Sequence, residues 1–146
     1  MITTTFAPNE TVGDMWYAFR LLFQPWQWTK GKAAPKLRMR LKKRFFWERS
    51  TIHFTLAARS ALYHFLKAHN LPENSEVLVQ AFTCEAVILP ILKQKLTPIY
   101  VDINQNDFSM DIDDLTKKYT PQAKVLILQH SFGITPSKRS KIIEFA

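Results

Sequence analysis

After Ser50 the sequence alternates short apolar runs with segments of helical periodicity, and this alternation constrains its fold more than any other feature. The predicted strands are residues 52–56, 76–80, 98–102 and 124–130. The predicted helices are residues 59–69 and 84–95, a helix capped by Asp111, and residues 137–146. The last strand is almost continuously apolar, as strands buried on both faces are. The pattern predicts an α/β fold in three α/β/α layers, with helices on both faces of a mainly parallel sheet.

Residues 1–49 differ from this region, because aromatic and basic residues dominate them. Apolar residues recur there at helical spacing twice, first as Trp16, Phe19 and Phe23 and then as Leu37, Leu41 and Phe45. Such spacing predicts amphipathic helices. We therefore predict two domains, a helical aromatic and basic arm at 1–49 and an α/β domain at 50–146.

The net charge of +8 is confined to one short segment. Residues 30–49 contain nine of the 20 Lys and Arg residues and one of the 12 acidic residues, so the rest of the chain is neutral. A charge so concentrated argues against a binding field that covers the whole domain. It is typical either of the solvated face of a helix or of a local patch that binds an anionic partner.

Several classes of site are excluded by the residues available. The three glycines are too far apart for a Rossmann fingerprint or a P-loop. The four histidines and the single cysteine, Cys84, lack the spacing of a metal site, so no metal is expected. Cys84 has no disulfide partner, and neither a secretory signal nor a membrane-spanning apolar run is evident. A reducing cytoplasm is the expected location.

Ligands of parallel α/β sheets bind beyond the carboxyl ends of the strands. Three segments of this sequence are predicted to lie there, residues 57–60, 81–84 and 130–133. The first is a run of small residues at a predicted helix start, where free backbone N–H groups attract phosphate. A tight strand-to-helix turn without a ligand has a similar sequence, so both interpretations remain open on these residues alone.

Five blocks of the α/β region occur in the order and spacing of one known family. They are Phe54-Thr-Leu-Ala-Ala-Arg-Ser-Ala-Leu62, Glu76-Val-Leu-Val-Gln-Ala-Phe-Thr-Cys84, Pro98-Ile-Tyr-Val-Asp-Ile103, Met110-Asp-Ile-Asp113 and Gln129-His-Ser-Phe-Gly133. Together they resemble the DegT/DnrJ sugar aminotransferases, pyridoxal-phosphate (PLP) enzymes of fold type I. The resemblance covers residues 52–146, and residues 9–28 are similar to the lead-in of some members.

The resemblance implies a cofactor site at the carboxyl ends of the strands. The family turn that offers backbone amides to the PLP phosphate corresponds to Ala58, Arg59 and Ser60, with Ala58 replacing a glycine. Cys84 takes the position that lies against the pyridine ring, where many relatives have an aromatic residue; a small buried apolar residue is the alternative interpretation. His130 belongs to the block after the fourth strand and is expected to be mainly structural, at the margin of the cofactor pocket.

The resemblance also implies residues that have no counterpart before Ala146. The family's pyridine-nitrogen aspartate and its lysine that binds PLP covalently both follow in later segments. We therefore expect an amino-terminal portion of a homodimeric enzyme that uses an amino-acid donor and a keto sugar, and we expect this chain alone to be inactive. The predicted strand at 52–56 would lack its sheet neighbours, so the isolated chain is expected to be unstable or to aggregate.

A binding module is the alternative function. Three tryptophans precede the basic segment 30–49 and one lies within it. Aromatic residues beside Lys and Arg suit an anionic membrane surface or a single-stranded nucleic acid. The same aromatic residues would equally pack the arm onto a second subunit.

Overall fold

The computed structural model describes residues 11–27, 33–45 and 49–146. The chain divides into two compact units, Met1–Phe54 and Thr55–Ala146. This division falls after Phe54, whereas the sequence places a domain boundary after Arg49. No helix in the described parts of the chain is long and apolar enough to cross a membrane.

Two helices of the first unit have their bounds within the described residues, and all residues of these helices are at least partly exposed. Helix α1 spans Val12–Leu22 and helix α2 spans Ala33–Phe45, and neither contains a buried residue. A capping box starts α1, in which the Thr11 side chain accepts from the Asp14 backbone N–H and the Asp14 carboxylate accepts from the Thr11 N–H. Both helices confirm the periodicity of the sequence, but most of their large apolar side chains are exposed.

The second unit is an α/β unit built around a three-stranded sheet. Its helices are α3 (Ala58–His69), α4 (Glu85–Lys93), α5 (Ile112–Lys118) and α6 (Arg139–Phe145). Its strands are β1 (Glu76–Gln80), β2 (Thr97–Val101) and β3 (Ala123–Ile127), in the spatial order β2-β1-β3. Both pairings are parallel, so β1 is the central strand and the three carboxyl ends lie at one edge.

Alternating side chains of β1 divide the core of this unit between the two faces of the sheet. Leu78 packs with Leu115 of α5 and Ile142 of α6 on one face. Val77 packs with residues of α3 and α4 on the other. Because successive side chains of a strand point to opposite faces, one apolar strand supports a helix layer on each side. The predicted α/β/α class with a parallel sheet is confirmed.

The first predicted strand is wrong. Residues 51–55 have no regular secondary structure, and of these only Ile52 is even partly buried. A strand needs a neighbour for its N–H and C=O groups, and the sheet of the described residues provides none at this segment. The expected instability of the isolated chain stays a prediction.

The other elements differ from prediction mainly at their ends. The strand predicted at 124–130 ends at Ile127, because residues 128–130 already belong to the loop after β3. Helix α4 is shorter than the predicted 84–95 and contains a buried Pro90. Asp111 caps α5 as predicted, since its carboxylate accepts from the backbone N–H groups of Asp113 and Asp114.

A buried carboxylate ties two loops of the second unit together. The Asp107 side chain, only 7% exposed, accepts from the Ser109 hydroxyl at 2.6 Å, the Ser109 N–H at 3.0 Å and the Ser137 N–H at 2.7 Å. The bonds from Ser109, and then those from Ser137, hold the pKa of this carboxyl far below its ordinary value. The ionised form therefore links the β2–α5 loop to the segment before α6.

We expect Asp107→Asn to destabilise the chain by about 2 kcal/mol at neutral pH, since bonds to a charged acceptor are lost. A carboxyl group with a lowered pKa in the folded state stabilises above its ordinary pKa, and this stabilisation is lost as pH falls. The difference in the free energy of unfolding between wild type and variant should therefore become smaller below about pH 4. Urea unfolding at pH 7 and pH 3 measures it, with exposed Asp113→Asn as the control. An equal difference at both pH values would contradict the prediction.

Candidate functional site

The loops that follow β1 and β3 form a concave surface at the carboxyl edge of the sheet. A cavity of about 370 Å³ is lined by Phe82, Thr83, Cys84, Gln129, Ser131 and Phe132. Cys84 is the N-cap residue of α4, in extended conformation, and its thiol is exposed. The exposed thiol does not fit the alternative interpretation of Cys84 as a small buried residue. This edge is where ligands of parallel α/β sheets bind.

Gln80, the last residue of β1, holds the loops of this edge together. Its side chain is fully buried, and its amide nitrogen lies 2.7 Å from the Ser131 hydroxyl. The same nitrogen lies 3.3 Å from the backbone oxygens of Phe82 and Phe108. One side chain therefore contacts the loops after all three strands. This role of Gln80 was not predicted from the sequence, although a glutamine that ends a buried apolar strand is a recognisable signal.

Three buried side-chain oxygens at this edge have no hydrogen-bond partner within the described residues. They are Gln80 Oε1, Thr83 Oγ1 and Gln129 Oε1. Gln80 ends β1, Thr83 precedes α4, and Gln129 follows β3. Buried polar atoms are rarely left unpaired in folded proteins, and such atoms commonly accept from a ligand, a water molecule or another chain segment. Their grouping at one edge distinguishes it from the rest of the second unit.

Three exposed phenylalanines cluster above Gln80. The ring centroids of Phe82, Phe108 and Phe132 are 5.9 to 6.1 Å apart, and the side chains are 50%, 39% and 76% exposed. Phe108 and Phe132 have left-handed backbones, with φ of 53° and 55°. Bulky residues adopt this conformation only when surrounding contacts hold them, and such strain concentrates at functional sites.

The start of α3 forms a second part of the candidate site. Ala57 is its N-cap residue, in extended conformation (φ −151°, ψ 156°), and makes no side-chain cap bond. Its carbonyl accepts from the N–H groups of Ser60 and Ala61 at 3.0 and 3.2 Å. Ala58 begins the helix and does not have a positive φ, so alanine replaces the family's glycine here without backbone strain. The amides before Ser60, those of Ala58 and Arg59, donate to no carbonyl of the described residues and can bind an anion.

The structure places the sequence-predicted site residues in different surroundings. Arg59 and Ser60 line a groove of about 310 Å³ between α3 and α4. Tyr63, His64, Leu89, Pro90 and Lys93 complete this groove, which therefore contains cations and no carboxylate. Cys84 lies in the other cavity, and exposed His130 lines neither. The predicted site residues thus lie in two separate places: Arg59 and Ser60 line the groove between α3 and α4, and Cys84 lines the cavity at the carboxyl edge of the sheet.

Comparisons with known proteins agree on one family. Residues 18–138 match the DegT/DnrJ/EryC1/StrS aminotransferase family. GDP-perosamine synthase of Escherichia coli O157:H7 is 26% identical over 144 residues, which are 97% of this chain and 38% of that protein. The chain thus spans well under half the length of this curated relative.

Two solved structures have the same fold as the second unit of this chain. S. venezuelae DesV in complex with a ketimine intermediate has a TM-score of 0.56 and 25% identity, covering 60% of this chain and 24% of DesV. The PLP form of Spr1654 from Streptococcus pneumoniae, titled a putative sugar aminotransferase, has a TM-score of 0.54 and 31% identity, covering 59% and 22%.

Proposed function

Because the chain belongs to the DegT/DnrJ/EryC1/StrS aminotransferase family, we propose that it forms the amino-terminal part of a PLP-dependent sugar aminotransferase. The whole enzyme transfers an amino group from an amino-acid donor to a nucleotide-linked keto sugar, for polysaccharide or cell-envelope sugar synthesis. One observation carries this proposal. The residues that correspond to the family's phosphate-binding turn lie at the start of α3, whose N-cap residue makes no side-chain cap bond. The names of the relatives support the substrate class.

The residues present fit the cofactor in two respects. The N–H groups of Ala58 and Arg59 would hold the PLP phosphate at the start of α3, beside Ser60, with the helix dipole favouring its charge. Cys84 would lie against the pyridine ring, and His130 would lie at the pocket margin. The unpartnered oxygens of Thr83 and Gln129 give the cavity beside Cys84 polar groups for a bound ligand. When bound, PLP supplies an electron sink for amino-group transfer.

The residues of this chain bind and orient the cofactor, and other residues move the protons. Transamination needs a lysine as covalent anchor and proton carrier, together with an acid beside the ring nitrogen. In the α/β unit, Lys95 pairs with Glu73 and Lys118 pairs with Asp114. We propose that these functions, and the homodimer of the family, require polypeptide beyond the 146 residues.

We expect the 146-residue chain alone, incubated with PLP, an amino-acid donor and a nucleotide-linked keto sugar, to form no amino sugar. Borohydride treatment should fix no PLP on a specific lysine, because no lysine here matches the family's anchor segment. Peptide mass spectrometry after reduction measures this, with a full-length relative as the positive control. A single lysine modified in most molecules would contradict the assignment of the anchor to other polypeptide.

A further inference from the structure

Helix α2 carries a concentrated positive charge. Its 13 residues include six basic and no acidic side chains. The basic residues are Lys36, Arg38, Arg40, Lys42, Lys43 and Arg44. No residue of the helix is buried. Such a concentration of one charge is unfavourable by itself, and an anionic surface would stabilise it.

The apolar residues of α2 follow one side of the helix. At about 100° per residue, Leu37, Leu41 and Phe45 form one stripe, with Arg38 on one side and Arg44 on the other. Leu37 is 47% exposed, and Met39, which lies on the opposite side, is 69% exposed. An apolar stripe flanked by arginines is the arrangement of helices that lie in a membrane interface. The long arginine side chains reach headgroups while the stripe enters the acyl boundary.

Three occupants of this surface can be compared by charge and chemistry. A second copy of the chain would bring the same +8 segment and repel the first. A single-stranded nucleic acid would match the charge, but the stripe begins with two leucines, which cannot stack with bases as aromatic side chains do. An anionic bilayer accommodates both features, since its headgroups pair with the cations and its acyl chains accept leucine.

The first unit exposes further residues suited to the same surface. Trp16 on α1 is 62% exposed, and Trp26 just after α1 is 65% exposed. Tryptophan concentrates at membrane interfaces, because its ring is apolar and its N–H donates to headgroups. These residues add apolar area to a unit that also contains the basic segment 30–49.

We propose that α2 is a peripheral anchor that binds the surface of anionic phospholipid bilayers. Binding depends on the cations for attraction and on the Leu37 stripe for insertion. This function is independent of the cofactor site, and it would place the enzyme at a membrane face without any spanning segment in the described residues.

Sedimentation of the full chain with vesicles tests the proposal. The chain should bind vesicles of equal parts phosphatidylglycerol and phosphatidylcholine and bind pure phosphatidylcholine at least about tenfold more weakly. One variant replaces four cations of α2 by glutamine: Arg38, Arg40, Lys43 and Arg44. The matched control replaces four exposed lysines of the second unit: Lys67, Lys93, Lys117 and Lys141. The first should weaken binding about a hundredfold or more, and the control less than about fivefold.

A single-residue pair tests insertion separately from charge. Leu37→Gln should weaken vesicle binding several-fold, whereas Met39→Gln, on the opposite side of α2, should leave it nearly unchanged. Both residues are exposed, so neither change should disturb folding, which circular dichroism checks. Equal effects of the two variants, or no vesicle binding at low salt, would overturn the proposal. Tighter binding to an oligothymidine strand than to the anionic vesicles would also overturn it.

Discussion

Gln80→Leu is expected to loosen the carboxyl edge of the sheet and to lower the free energy of unfolding by about 2 kcal/mol. The Gln80 amide has two N–H donors for three acceptors, the Ser131 hydroxyl and the backbone oxygens of Phe82 and Phe108. Leucine has a similar volume but leaves these part-buried acceptors unpaired. It also removes the unpartnered Gln80 Oε1, which offsets part of the cost.

Gln80→Glu tests the loss of the N–H donors without a change in side-chain volume, because glutamate has the same shape as glutamine and, when ionised, has no donor. It should destabilise at least as much as leucine at neutral pH and less at acid pH, where the protonated acid donates one bond. Exposed Gln105→Leu, in the β2–α5 loop, is the control. Urea unfolding gives the free energies, and the proton shifts of the three phenylalanine rings report the loop positions. If Gln80→Leu changed the free energy of unfolding by less than about 0.5 kcal/mol, the hydrogen bonds of Gln80 would not be what stabilises the three loops at this edge.

Ala58→Pro is expected to weaken binding of PLP by about tenfold or more while leaving α3 intact. Proline is tolerated at the first position of a helix, where its missing N–H would have no helical partner. The preceding Ala57 already has the extended backbone that a residue before proline requires. The substitution therefore removes one of the proposed phosphate donors and little else, and a bond to a charged acceptor is worth about 1.5–3 kcal/mol.

Two further variants make this experiment specific. Glu85→Pro changes the first residue of α4, which also follows an extended N-cap residue, and should leave PLP binding nearly unchanged. Ala58→Gly restores the family's residue and should bind at least as well as wild type, because the N–H remains. Equilibrium dialysis against PLP measures all three, and far-ultraviolet circular dichroism confirms the helices. Equal losses for the two proline variants would contradict a phosphate site at α3.

The sequence predicted the α/β unit well where pattern and packing agree. The strand at 76–80 was predicted with its observed bounds, because a run of apolar residues buried on both faces has few other conformations. Asp111 was predicted as a cap from local chemistry that depends on no distant residue. The family blocks then gave the order of the elements.

Other features depend on contacts that periodicity does not encode. Residues 52–56 have the composition of a strand, but a strand exists only with a neighbour to pair with. The left-handed backbones of Phe108 and Phe132 and the bonds of Gln80 arise from three loops that meet in space. The family resemblance predicts a site at the carboxyl edge of the sheet but does not indicate Gln80, the residue that contacts all three loops there.

Amide spectra of the ¹⁵N-labelled chain test the central claim most directly, that α3 begins at a binding site for the phosphate of PLP. Titration with PLP should shift the amide signals of Ala58, Arg59 and Ser60, and inorganic phosphate should shift the same signals. Pyridoxal, which lacks the phosphate, should leave them in place. Shifts confined to the basic residues of α2, or no shift at the start of α3 at saturating PLP, would contradict the claim.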